Sequence, residues 1–170
     1  IVLQVDPIDE NKLWLAFANG PNGNKVFSSS NGGLNWTNLT TAALNNENIH
    51  SLVYIPNSNE GLYVGTNKGI WYRDNTLNNW IDYSAGLPIE INCNIAKPFY
   101  RDGLLRLASY GRGLWETALV QQPSSPIAQI SVDKLSSTIH CTLDSFYFVD
   151  QSIVNHHGAS WHWQFLGGSP

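Results

Sequence analysis

The chain has 170 residues, 42% apolar and only 13% charged, with a net charge of −4 and no block of Lys or Arg. That suffices for a packed core in one domain or parts of two, and it excludes the basic face a nucleic-acid partner requires. No run approaches the roughly 18 apolar residues that cross a membrane as a helix.

The chain opens in mid-strand with Ile1-Val2-Leu3-Gln4-Val5 and shows no leader, so it reads as a trimmed or internal piece. A turn signal follows at Asp6-Pro7-Ile8-Asp9-Glu10-Asn11, then a strand over 13–17, a Gly-containing turn and a strand over 26–28. Next comes Ser29-Ser30-Asn31-Gly32-Gly33-Leu34-Asn35-Trp36, a polar turn with two glycines and a tryptophan. Residues 38–46 are short of apolar periodicity and read as a loop rather than a helix. Strands over 62–65 and 70–73 follow the turn Pro56-Asn57-Ser58-Asn59-Glu60-Gly61. The segment Asp74-Asn75-Thr76-Leu77-Asn78-Asn79-Trp80 is a degenerate second copy of the polar turn, one residue longer. The turn Tyr100-Arg101-Asp102-Gly103 then precedes strands over 104–108 and 114–117. Asn, Ser, Thr and Gly supply the polarity throughout, as expected of turn-rich β structure.

These copies repeat. A shift of 49 aligns Pro7 with Pro56, Leu13 with Leu62 and Trp14 with Tyr63; a shift of 44 aligns 64–71 with 108–115. That period fits the four-stranded blades of β-propellers, about 40–50 residues each. The pattern stops at 120–126, a linker with Pro123 and Pro126. Beyond it, strands are expected over 127–132, 146–149 and 159–165, the last with Trp161, Trp163 and Phe165 on one face.

The box Ser29, Asn31, Gly33, Trp36 and the ending Ala108-Ser109-Tyr110-Gly111-Arg112-Gly113-Leu114-Trp115-Glu116 make residues 1–119 resemble the last blades of Asp-box (BNR) propellers. That group includes sialidases, xyloglucanase-type glycosidases and sortilin-like receptors. Asn31 stands where the family turn usually has Asp, and Asn35 where it often has Thr. Residues 127–170 resemble the first half of a PKD domain, an immunoglobulin-like sandwich, through Cys141, Phe148-Val149-Asp150-Gln151-Ser152 and the run 161–170. The family usually has Asp where Gln164 stands. The resemblance implies an all-β chain, a partial β-propeller of two to three blades plus a partial immunoglobulin-like β-sandwich. It also implies a larger secreted or cell-surface protein of the Bacteroidota type, exported by type IX secretion. Three blade-equivalents do not close a ring of four to eight, so more chain is expected on both sides.

The box residues Ser29, Asn31, Gly33 and Trp36 read as structural: a polar side chain bonding its own turn, glycines that permit the backbone, and a tryptophan packed between strands or blades. The ligand-facing candidates are Tyr110, able to stack on a sugar ring, and Arg112, able to grip a carboxylate. Both also fit a tight, solvated turn. No catalytic residue is expected in this segment. The propeller part holds only Arg73, Arg101, Arg106 and Arg112, short of a sialidase arginine cluster, and Asp6, Asp9, Asp74, Asp82 and Asp102 mostly lie in turns. No metal is expected of His50, His140, His156, His157 and His162: the neighbours His156 and His157 would point to opposite faces of a strand, and 155–158 reads as a loop. No cofactor is expected. Cys93 and Cys141 read equally as one disulfide or as two buried thiols. Asn35-Trp36-Thr37 and Asn38-Leu39-Thr40 match the N-glycosylation pattern, incidental in a bacterial protein.

The expected function is a binding and scaffold module for a polysaccharide, glycan or surface protein. The alternative is part of a secreted glycoside hydrolase whose catalytic residues lie mostly upstream.

Overall fold

The computed structural model describes residues 1–121, 127–132, 146–152 and 160–164. Among these the chain is all-β: four antiparallel sheets, no closed barrel, and one 3-10 turn at Ala42–Leu44. The first sheet is a meander of β1 (Val2–Val5), β2 (Leu13–Ala16), β3 (Val26–Ser29) and β4 (Thr37–Asn38). The second repeats it with β5 (Ile49–Tyr54), β6 (Leu62–Thr66), β7 (Ile70–Arg73) and β8 (Ile81–Asp82). The third has β9 (Cys93–Phe99), β10 (Leu104–Ser109) and β11 (Gly113–Ala118), and no fourth strand among the described residues. The fourth is a pair, β12 (Ile130–Val132) and β13 (Phe148–Asp150). Stacked meanders of this kind are consistent with a partial propeller.

Two cores hold the stack. Trp14, Ala16 and Val26 of the first sheet meet Leu52, Tyr54, Leu62, Val64 and Trp80 of the second. Val53, Tyr63, Ile70 and Tyr72, the alternate residues of the second sheet, meet Cys93, Ala96, Leu105 and Leu107 of the third. Strand residues alternate faces, so a sheet buried on both sides contributes to two cores at once. That explains why β6 is apolar and buried at every position up to Thr66. Between the first two sheets the Trp14 and Tyr54 rings stack at 3.9 Å, and the Tyr54 hydroxyl donates to Asp6 Oδ2 at 2.8 Å.

The strand ladders correct the sequence repeat in two places. Ser28 pairs with Thr37 and Tyr72 with Ile81, so the connections 29–36 and 73–80 are of equal length. The second copy of the polar turn is therefore not one residue longer; it differs only in composition. The 44-residue shift holds for Trp71 and Trp115 but not for the strand before them. Val64 opposes Trp71, whereas Leu107, not Ala108, opposes Trp115. The extra residue lies in the turn, where Tyr110, Gly111 and Arg112 replace the pair Asn67 and Lys68. The short strands β4 and β8 were not expected from sequence, because two residues carry no periodicity.

The strand expected over 159–165 does not form among the described residues. Residues 160–164 run in no regular element, and the Trp163 ring lies 6.3 Å from the Phe148 ring. A strand needs a neighbour's ladder, and β13 is only three residues long. Cys141, His140, His156, His157, Phe165 and most of the 120–126 linker lie outside the described residues. No helix among the described residues is long and apolar enough to cross a membrane.

Candidate functional site

In the first two sheets the third strand starts at the hairpin turn from the second strand and ends at the polar box or its counterpart. The hairpin turns and the boxes therefore lie at opposite ends of the sheets. The box end is a closed structural unit. Ser29 Oγ accepts Gly33 N–H at 2.9 Å and Asn31 N–H at 3.3 Å, and donates to Asn31 Oδ1 at 3.0 Å. Asn31 Oδ1 also accepts Asn35 N–H at 2.9 Å. Gly32 and Gly33 sit at φ of 67° and 88°, left-handed conformations that a side chain resists. The Trp36 ring covers Gly33, and a Cβ there would lie 3.5 Å from Trp36 Cζ2.

The two box tryptophans differ. Trp80 is 1% exposed and donates Nε1–H to the Leu39 carbonyl at 2.8 Å, sealing the first sheet against the second. Trp36 occupies the same register position yet is 39% exposed. It faces the side of the first sheet turned away from the second, so the seal between these two sheets falls to Trp80.

At the hairpin end, Tyr110 and Arg112 flank Gly111, at φ of 75°, in the β10–β11 turn. Such a turn needs one left-handed residue, which glycine supplies. Several bonds fix this turn. Tyr110 N–H donates to the Asn92 carbonyl at 3.2 Å and to Asn94 Oδ1 at 3.1 Å. Arg112 Nη1 donates to the Ile89 carbonyl at 3.1 Å, and its own carbonyl accepts Trp115 Nε1–H at 2.8 Å. The Tyr110 side chain projects from this frame 81% exposed.

Beside it lies a cleft that sequence reading missed. It measures about 480 Å³, and Glu47, Lys68, Trp71, Asp82, Ser84 and Glu90 line it. Ile89, whose carbonyl holds Arg112, lies on the same wall. Glu47 is buried; its Oε2 accepts Thr66 Oγ1–H at 2.7 Å and its Oε1 lies 3.6 Å from Lys68 Nζ. The Glu47 carbonyl accepts the ammonium of Lys25, another buried group. Asp82 stands opposite Trp71 in the β7–β8 ladder, and its Oδ1 accepts Ser84 N–H at 2.9 Å. One signal was available: Lys68 sits in the turn that corresponds to that of Arg112. The carboxylates carried none, because Glu47 and Glu90 lie in connections far apart in sequence.

A larger concavity, about 680 Å³, runs over the outer face of the third sheet past Ile95, Phe99, Arg106, Leu114 and Glu116. Leu114 there matches Ile70, which in the second sheet is buried under the third. That face is the counterpart of the one by which the second sheet packs against the third. Arg106 bonds Asp102 and Glu116 and lies 4.0 Å over the Phe99 ring. Cys93 is a buried free thiol pushed up to about 11 by burial, so it stays protonated and unreactive at neutral pH. Among the described residues no three His, Cys, Asp or Glu side chains are placed to hold a metal. Comparison of the sequence with protein-family models and with curated proteins found no match.

Proposed function

We propose that this chain is a glycan-binding and scaffold module of a secreted or cell-surface bacterial protein, built from Asp-box propeller blades followed by the start of a PKD-type sandwich. The observation that carries the binding role is Tyr110: a large aromatic held 81% exposed on a turn whose backbone is fixed on both sides. An exposed aromatic on a fixed backbone has only two side-chain torsions to order on binding and offers a stacking face, the combination that recognition surfaces favour. Arg112, exposed beside it, adds planar donors suited to a carboxylate or to hydroxyl pairs. The box turn, with Ser29 and Asn31 bonding their own backbone, supports the Asp-box reading as scaffold.

Glycan-array binding of the purified chain, with Tyr110→Ala alongside, tests this reading. A restricted set of glycans is expected, with Tyr110→Ala weakening at least one of them about tenfold or more, as loss of a stacking contact predicts. An empty array, an array on which no glycan depends on Tyr110, or release of reducing sugar from polysaccharide would overturn it, the last in favour of a hydrolase.

A further inference from the structure

We infer that the cleft between the β6–β7 turn and residues 84–90 is a second subsite at the hairpin end, and that its ligand is a neutral saccharide. This deepens, and rests on, the glycan-binding reading above. The volume, about 480 Å³, lies within the 300–1,000 Å³ usual for small-ligand sites and accommodates one to two pyranose rings.

The lining decides the ligand class. Three carboxylates, Glu47, Asp82 and Glu90, and one ammonium, Lys68, line the cleft, and Arg112 and Lys25 stand behind the lining on the Ile89 and Glu47 carbonyls. These charges balance, so the site favours neither a uronate nor a polycation and suits an uncharged ligand. Glu47 is already committed to Thr66 and Lys68, and that pair fixes one wall. Asp82 is exposed, with its Oδ1 turned to Ser84 N–H, and Glu90 is exposed at the rim. The cleft therefore offers acceptors and a donor together: carboxylate oxygens on one side and the Lys68 ammonium on the other, while the Ser84 hydroxyl is spent on the Ile70 backbone. A sugar hydroxyl both donates and accepts, so it satisfies both sets. A cationic peptide would use only the acceptors and would meet Lys68. Trp71 supplies the apolar wall, half-buried in the core beneath and therefore fixed in place. Carboxylates that pair with hydroxyls around an indole wall suit the polar edge and apolar face of a pyranose.

Tryptophan fluorescence titration of the whole chain tests this. The probes are cellohexaose, xylohexaose and mannohexaose, with hexagalacturonate and pentalysine as charged controls. At least one neutral hexasaccharide is expected to bind saturably. Asp82→Asn and Glu90→Gln should each weaken it about tenfold, the loss of one charge-assisted hydrogen bond. Asn at 82 keeps the acceptor for Ser84, and Glu90 is exposed, so both variants preserve the fold; unchanged circular dichroism checks this. Trp71→Phe should reduce the fluorescence change while retaining part of the affinity. Tyr110→Ala should leave this binding intact. No neutral hexasaccharide bound up to about 10 mM, binding indifferent to Asp82→Asn and Glu90→Gln, or a preference for hexagalacturonate or pentalysine would overturn the proposal. A glycan lost with Tyr110→Ala but kept by the cleft variants overturns the subsite alone and leaves the module reading standing.

Discussion

Asp74 is a buried carboxylate that accepts four hydrogen bonds. The Tyr72 hydroxyl donates at 2.8 Å, Thr76 N–H at 2.9 Å, Thr76 Oγ1 at 2.6 Å and Gln121 Nε2 at 2.7 Å. Burial works against its charge, but these donors outweigh it and hold the carboxyl below the ordinary carboxylate value. A carboxyl lowered in the folded state contributes stability above its unfolded value of about 3.9, and the contribution is lost as pH falls through the folded one. Urea melts between neutral and strongly acid pH should show a falling midpoint below pH ~4, and Asp74→Asn should flatten that fall. At neutral pH the same variant should cost roughly 1–3 kcal/mol, because an amide faces Tyr72 and Gln121 with a donor where a carboxylate accepted. Sequence reading placed Asp74 in a turn but could not foresee Gln121 as its partner. The two lie far apart along the chain, and only the return of the chain after β11 past Tyr63 and Asn59 brings them together. Asn31 was more legible, because all its partners lie within four residues.

The hairpins were legible as elements because alternation and glycine turns are local signals. Their faces were not wholly so. A strand has period two, so one extra residue in the β10–β11 turn exchanges the faces of everything before it. A small residue nevertheless recurs at one register position in the three stacked sheets: Ala16 opposite Val26, Gly65 opposite Ile70, Ala108 opposite Leu114. At Gly65 the reason is close approach of the third sheet. A Cβ there would lie 2.7 Å from the Cys93 carbonyl oxygen and would also strike Ser51 Oγ. Gly65→Ala should therefore force β6 and β9 apart and cost roughly 1–3 kcal/mol in denaturant melts, despite the better strand propensity of alanine. The two box tryptophans make a paired test of the same packing. Trp80→Ala should cost roughly 3–5 kcal/mol, as loss of a fully buried aromatic does, whereas Trp36→Ala should cost about 1 kcal/mol or less, given its exposure. Equal losses would contradict the assignment of Trp80 as the seal between sheets.

At the scale of the molecule, the stack of sheets buries its interior well and its two ends poorly. The interior is rich in tyrosine: burial holds Tyr54, Tyr63, Tyr72 and Tyr100 above their ordinary value, with the Asp6 and Asp74 carboxylates adding to the effect at Tyr54 and Tyr72. Their contribution is intact below the unfolded value of about 10 and is lost as pH rises past it, because the unfolded chain ionises there and the folded one resists. The tyrosinate absorbance of these four should therefore rise together with loss of circular dichroism, rather than before it. The ends behave differently. Leu3 and Val5 occupy the first-sheet positions that in the second sheet are Leu52 and Tyr54, buried against a neighbour; here both are exposed. Leu114 is 82% exposed where Ile70 is fully buried. Each end thus presents the kind of face its own interior already mates. Apolar faces of this kind drive association unless covered. The isolated chain should therefore gain mass with concentration in light scattering, and Leu3→Lys combined with Leu114→Lys should hold it near 18.9 kDa. Leu34→Lys is the control, since Leu34 is as exposed as Leu114 but sits on the box turn rather than on a sheet face. A wild-type mass that stays monomeric at every concentration, or a Leu34→Lys variant that matches the double variant, would mean that the end faces are not complementary surfaces.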